Sequence, residues 1–293
     1  MSANLHMTKY VIITPARDEE EFIEKTILAV ANQTVKPIQW IIVNDGSRDR
    51  TGEIVDYFAS IYPWITAKHR SDRGHREAGG GVIHTFYDGY ALIESKDWEF
   101  LAKLDADLSF SPDYFERCFA EFAEDPNLGV GGGGIYHEVE GGLALEESPQ
   151  FHVRGATKIY KRDCWDQLGG LLRAPGWDTV DELTANMLGW TTRSFLNLRV
   201  SHYRFTGAAA GAWRDSIKNG RANYITGYHP LFMIFKCIRR LTHKSYLSGS
   251  IALMWGYLSG YWKHLLQVQD PSLIRYTRSQ QMRRLLLLDS IWK

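Results

Sequence analysis

The sequence is poor in cysteine. Its three, Cys118, Cys164 and Cys237, are widely separated and form no CxxC pair, which excludes a disulfide framework and a zinc knuckle and suits a reducing compartment. Net charge is absent as well: 34 Lys and Arg balance 34 Asp and Glu, so overall charge selects no class of partner. The stretch MSANLHMTKY has no apolar h-region, and no secretory signal is expected. Nor is there a long, clean hydrophobic run. Tyr246 to Trp262 is seventeen uncharged residues broken by Ser248, Gly249, Ser250, Gly256, Ser259 and Gly260. That length lies at the lower limit of a membrane span, and a buried or interfacial helix is expected instead.

What is present is an ordinary globular composition, 44% hydrophobic and 23% charged, long enough for one large domain or two modest ones. The charge balance conceals an asymmetry. From Thr226 onward ten Lys and Arg face two Asp and Glu, so this tail carries +8 and the preceding body −8. The first half alternates strand and helix signals. YVIITPA, QWIIVNDGS, WITAKH and FLAKLDAD read as strands. Residues 19–32, 51–62, 79–93 and a segment capped by Ser111 with Pro112 at its first position read as helices. Such alternation predicts right-handed βαβ units, a mostly parallel central sheet flanked by helices, and ligand binding beyond the carboxyl ends of the strands. Three polar clusters fall at those ends: TPARDEE, NDGSRD and DADLS. GVGGGGIYHEVEGG matches no phosphate-loop pattern and is expected as a loop or a closely packed strand. A helical region is expected from about Tyr224.

The stretch LAKLDADLSF places two aspartates one residue apart after an apolar run. If the strand continues through them, Asp105 and Asp107 point the same way, about 7 Å apart. Like charges so placed repel, and a divalent cation with oxygen ligands is the natural partner. A bare DxD is equally a polar loop.

Four ordered pieces, VIITPARDEE, QWIIVNDGSRDRT, KLDADLSF and WDTVDELTANMLGW, with YKRDCWDQLGG between the last two, give the chain its context. Together they resemble the family 2 glycosyltransferases, nucleotide-sugar enzymes of the GT-A fold (nucleotide-diphospho-sugar transferase). The resemblance covers about Tyr10 to Trp190. It implies that Pro15, Arg17 and Glu19 line the base and ribose pocket, with Asp18 standing where the family usually has Asn. It implies that Asp45 accepts from the base, most often uracil. Asp105 would face the ribose or the metal, and Asp107 would ligate Mg2+ or Mn2+ bridging the diphosphate. Arg73 and Lys103 are candidate cations near the donor. His202 is a candidate third ligand, since some relatives use a histidine near this position; a lone histidine on an apolar strand is otherwise a core residue.

The reaction also needs a base, and WDTVDELTANMLGW offers Asp178, Asp181 and Glu182. The start of the Asp-Glu-Leu helix favours Asp181, and the spacing to the downstream Gly-aromatic pair favours Asp178. Asp181 is preferred, with Asp178 as its rival; an aspartate here is also a good helix N-cap. GAWRDSIKNGR lies where processive members carry Gln-x-x-Arg-Trp, and that motif is absent, which favours transfer of a single sugar.

On a helical projection of residues 231–244, Leu231, Ile234, Phe235, Ile238 and Leu241 share one arc, opposite Lys236, Arg239, Arg240, His243 and Lys244. A basic amphipathic helix flanked by Trp and Tyr suits an anionic lipid interface; packing on the body with the charges in water is the alternative. No nucleic-acid motif accompanies these cations, and no nucleic-acid partner is expected.

These readings combine into a metal-dependent, inverting hexosyltransferase. It would take a nucleotide-diphosphate sugar, most readily a UDP-sugar, to a glycan or lipid-linked acceptor in surface-polysaccharide biosynthesis. The expected location is cytoplasmic, peripheral at the inner face of the cell membrane through residues 228–263. Residues 1–223 would form the catalytic domain and 224–293 a helical extension. The rivals are a polyprenyl-phosphate glycosyltransferase and a non-catalytic nucleotide-sugar-binding protein.

Overall fold

A computed structural model of the chain describes residues 8–72, 74, 80–139, 142–204, 211–241 and 247–292. Arg73, His243 and Lys244, named above, lie outside the described residues. The first half folds as alternating units: β1 (Tyr10–Ala16), α1 (Ile23–Ala31), β2 (Gln39–Asn44), α2 (Thr51–Ile61), β3 (Ile65–His69), α3 (Gly80–Tyr90) and β4 (Phe100–Leu104). These four strands lie side by side in the order β3-β2-β1-β4, every pair parallel. β1 and β2 are buried on both faces, so they read as continuous apolar runs. Tyr10, Ile12, Trp40 and Ile42 enter one core with α1, α2 and a later helix. Val11, Ile13, Ile41 and Val43 enter the other, with α3.

Beyond β4 the sheet changes character. It continues through β8 (Thr157–Lys161), β6 (Leu128–Val139), β9 (Thr191–His202) and β5 (Leu108–Phe110), with β7 (Gly142–Leu145) pairing the far end of β6. β4–β8, β8–β6 and β9–β5 are antiparallel, and β6–β9 is parallel. The glycine-rich segment is therefore the close-packed strand, not the loop. A Cβ on Gly132 would sit 2.2 Å from the Thr157 carbonyl, and one on Gly133 would sit 2.5 Å from the Leu198 carbonyl, distances no side chain tolerates.

The helix after DADLSF, α4 (Tyr114–Glu124), begins two residues later than expected; its N-cap is Asp113, and Ser111 instead donates its hydroxyl to Asp113. α5 (Arg162–Leu168) and α6 (Trp177–Met187) follow β8, and α7 (Ala212–Ile225), α8 (Pro230–Leu241), α9 (Leu247–Trp262) and α10 (Pro271–Leu285) complete the chain. The boundary expected after residue 223 falls inside α7. Val180 and Leu183 of α6 share a core with Tyr224, Met233, Leu253, Tyr257 and Leu273, so the last four helices rest on the helix that carries the acidic segment. All three cysteines are free and buried.

Candidate active site

The tips of β1 and β2 are tied together before any ligand is considered. Asp18 has φ +55°, a left-handed conformation that Asp and Asn tolerate better than other non-glycine residues. Its backbone N–H donates to Ser47 Oγ at 3.0 Å, and its Oδ1 accepts from the Arg48 N–H at 2.9 Å. An aspartate meets this position's geometric demand as well as the asparagine usual in the family. Arg17 donates to the Asp45 carbonyl at 2.9 Å and to Asp72 at 2.7 Å. The Asp45 carboxylate accepts from Arg70 at 2.9 Å, and Arg70 also pairs with Asp88 at 2.9 Å. Buried Glu19 pairs with Arg204 at 3.0 Å. Pro15, half-buried, stands beside Val43 in the parallel register. Arg70 and Arg204 were not anticipated: both lie just beyond strand ends, and their partners are 25 and 185 residues away in sequence.

The strand does not run on through DAD. β4 stops at Leu104, and Asp105 to Asp107 form a bend before β5. Thr26 of α1 pins that bend, its hydroxyl bonded to the carbonyls of Ala106 and Leu108 and to the Leu108 N–H at 2.8–2.9 Å. The bend brings both aspartates to the end of β9. One ligand atom from each of Asp105, Asp107 and His202 falls within 4.8 Å of the others. His202 Nε2 lies 3.1 Å from Asp107 Oδ2, while its buried Nδ1 has no hydrogen-bond partner among the described residues. Burial, supported by the charge of Asp107, raises the pKa of Asp105 although Lys103 opposes it. Burial also opposes a charge on His202, but the Asp107 contact outweighs it and the pKa is raised.

Two carboxylates and an imidazole crowded at a sheet edge, with one ring nitrogen left over, fit a divalent cation of the Mg2+ or Mn2+ type. Lys103 is only 2% exposed and contacts Asp105 and the Gly155 carbonyl, the latter at 2.6 Å. It holds the acidic group from behind.

The acidic helix α6 separates its three carboxylates into two kinds. Gly176, at φ +91°, is its N-cap and makes no side-chain hydrogen bond, so neither aspartate caps it. Asp181 is 2% exposed. Both its oxygens are taken, by Lys158 at 2.8 and 2.9 Å and by the Tyr160 hydroxyl at 2.5 Å. Burial, reinforced by the charge of Glu182, pushes its pKa up to about 6 against the pull of Lys158. Glu182 is fully buried and accepts from His152 and from the Val153 N–H, both at 2.7 Å, with Lys158 2.8 Å away.

Asp178, in the first turn, differs from both. It is half-buried and forms no ion pair among the described residues. Burial acts to raise its pKa, but His152, Lys158 and Arg154 together outweigh it and hold the carboxyl below its ordinary value. A Cβ placed on Gly155 would stand 3.4 Å from the Asp178 Cβ, and the Gly155 carbonyl is the one Lys103 binds. The indole of Trp177 meets both ammonium groups, 5.5 Å from Lys103 and 5.4 Å from Lys158. Lys158 and His152 were missed because a lysine in TKIYK and a histidine in a loop carry no signal until the fold sets them against α6.

A model of the family described as Glycosyl transferase family 2 matches residues 11–170. Among curated relatives, Glycosyltransferase GlyA of Streptococcus pneumoniae is 26% identical over 157 residues, 52% of this chain and 20% of that protein. The uncharacterized glycosyltransferase EpsJ of Bacillus subtilis is 32% identical over 127 residues, 43% of this chain and 34% of its own length. The matched stretch thus spans only 20% and 34% of these two relatives. Among solved structures, mannosyltransferase PcManGT from Pyrobaculum calidifontis, in complex with GDP-Man and Mn2+, superposes with a TM-score of 0.55 at 16% identity, over 96% of this chain and 76% of that one. S. aureus TarS in complex with UDP superposes with a TM-score of 0.52 at 14% identity, over 87% of this chain and 72% of that one. The architecture is the GT-A fold, and the chain belongs to glycosyl transferase family 2.

Proposed function

We propose that the chain is an inverting, metal-dependent hexosyltransferase of polysaccharide biosynthesis, taking a nucleotide-diphosphate sugar, most readily a UDP-sugar, to a glycan or lipid-linked acceptor. The observation that carries this reading is the convergence of Asp105, Asp107 and His202 within 4.8 Å at the sheet edge. Asp107, Asp105 and His202 would hold Mg2+ or Mn2+, whose charge offsets that of a departing nucleoside diphosphate. Pro15, Arg17, Glu19 and Asp45 would receive the nucleoside, with Asp45 oriented by Arg70. Similarity to the chondroitin synthase of Pasteurella multocida, 28% identical over 117 residues and 11% of that protein, and the UDP and GDP-Man complexes of the neighbouring folds support the substrate class.

An inverting transfer needs a carboxylate that takes the acceptor hydroxyl's proton as its oxygen attacks the anomeric carbon. Asp178 suits this role better than Asp181. It is half-buried, ionised by its neighbours and close to the loop that Lys103 joins to Asp105. Asp181 is enclosed, with both oxygens occupied. Its work would be structural: with Glu182 it fixes Lys158, which in turn donates to the Asp178 carbonyl and holds the start of α6. In this proposal residues 1–223 carry the chemistry, and 224–293 brace α6 and meet the inner face of the cell membrane through 228–263. Among the described residues no helix is long and apolar enough to cross a membrane.

A donor screen tests the reading directly. Hydrolysis or transfer from UDP-, GDP- and dTDP-sugars with manganese, and its loss on adding EDTA, is the expected result. Binding without turnover would leave a nucleotide-sugar-binding protein, and activity untouched by EDTA would remove the metal.

A further inference from the structure

α9 is packed inside out for a helix in water. The residues it turns inward are small or polar: Ser250 is 3% exposed and Ser259 5%, joined by Ala252, Gly256 and Gly260. Only Leu253 and Tyr257 are large among its buried positions. The small residues allow α7 to approach closely. A Cβ on Gly256 would lie 2.1 Å from the Ile217 carbonyl, and one on Gly220 would lie 2.1 Å from the Leu253 carbonyl. The outward face is the reverse. Leu247, Ile251, Trp255, Leu258 and Trp262 follow one another at intervals of four, four, three and four and are all more than half exposed, Trp262 at 77%. Small residues at the helix contact with large apolar ones outside is the pattern of helices solvated by lipid.

α8 packs against α9 and repeats the arrangement. Met233 and Cys237 are its buried residues, while Leu231, Ile234, Phe235, Ile238 and Leu241 are all exposed. The apolar arc, which the alternative reading would have packed on the body, faces outward. Lys236 folds back over the Tyr228 ring, 5.3 Å from its centroid. The two helices present ten large apolar side chains together, far more than the scattered exposures of an ordinary surface.

Charge and length identify what covers them. From Thr226 to Gln269 there is no acidic residue, against five Lys and Arg. A second copy of the chain would bring two such cationic segments together, which like-charge repulsion disfavours. α9 has sixteen residues, about 24 Å of helix against about 30 Å of hydrocarbon, too short to cross. Tyr261 and Trp262 stand at its C-terminal end and Trp255 two turns before it, the residue types that settle at headgroup level. Resting on the membrane contact proposed above and specifying it, we infer that α8 and α9 lie side by side in the plane of an anionic lipid surface, their apolar faces inserted at the headgroup boundary.

The test separates this inference from the transferase reading, because it needs no turnover. Full-length protein is sedimented with sucrose-loaded vesicles of phosphatidylcholine alone or mixed with phosphatidylglycerol, at low and high salt. The wild type partitions onto the anionic vesicles, less so at high salt. Phe235→Glu with Ile238→Glu, and separately Ile251→Glu with Trp255→Glu, each reduce that partitioning by at least about tenfold, without changing manganese-dependent UDP binding or the thermal midpoint. If a glutamate pair lowers the midpoint, Trp262→Ser, the most exposed of the set, replaces it. Three outcomes overturn the inference: no partitioning, equal partitioning onto neutral vesicles, or a solution dimer or protein complex dissolved by the glutamate variants while vesicles are ignored.

Discussion

At the tips of β1, β2 and β4 charged side chains are drawn inward and matched with partners, whereas along α8 and α9 apolar side chains are turned outward and small or polar ones inward. Arg17 pairs with Asp72, Arg70 with Asp45 and Asp88, and Arg204 with Glu19, and Lys158 contacts both Asp181 and Glu182 with no solvent exposure. For such groups a neighbour of opposite charge works against the cost of removal from water. Leu247, Trp255 and Trp262 are each more than half exposed. The contrast separates charged groups that meet partners within the chain from apolar side chains that are left exposed, the face assigned above to a lipid surface. In the two proposals chemistry and docking fall on separate elements, so that each can be broken without the other.

The largest separation is expected at Asp178. Asp178→Asn should lower transfer by about 10²–10⁴-fold, the worth of a general base, with donor binding and vesicle partitioning unchanged; kcat and KM from a transfer assay give the answer. The pH profile sharpens the choice of base. Asp178 is held below the ordinary carboxylate value, so it stays ionised through the neutral range. A loss of rate near pH 6 that disappears in Asp181→Asn would restore Asp181 instead.

Next in size is Lys158→Met, which leaves two buried carboxylates without their cation and should cost about 3–5 kcal/mol in denaturant unfolding. Asp181→Asn tests the same cluster by pH. The folded-state pKa of about 6 lies above the ordinary value of 3.8, so the folded protein holds this proton more tightly than the unfolded chain. Asp181 therefore adds stability as pH falls from about 7 to 4, up to about 3 kcal/mol, and that part of the pH dependence should vanish in the variant. The smallest effect belongs to the other region. Trp262→Gln should change stability by no more than about 0.5 kcal/mol, since its side chain is 77% exposed and its ring contact is with the outward-facing Trp255; a loss of several kcal/mol would mean that the surface is covered intramolecularly.

What the sequence could reveal follows the same division. The parallel half was legible because β1 and β2 are buried on both faces and end in polar clusters, a pattern local to each segment. Asp105 and Asp107 were legible as a pair, but their geometry was not: the bend depends on Thr26, 80 residues away from Ala106. His202 was legible only as one of two possibilities, and pairing of β5 with β9 brings it to Asp107. The order of Asp178 and Asp181 was not legible, because both follow a turn, and what distinguishes them is Lys158 and Tyr160 arriving on β8. The orientation of α9 was hidden for a related reason. Periodicity reports which residues share a face, and only the fold says which face is turned inward.

The central claim is that Asp105, Asp107 and His202 hold a divalent cation against a nucleoside diphosphate. Isothermal titration of UDP into the full-length protein, with manganese, with EDTA and in the Asp107→Asn variant, tests it most directly. Saturable heat with manganese that disappears both with EDTA and in the variant is the predicted result; equal affinity under all three conditions would contradict it.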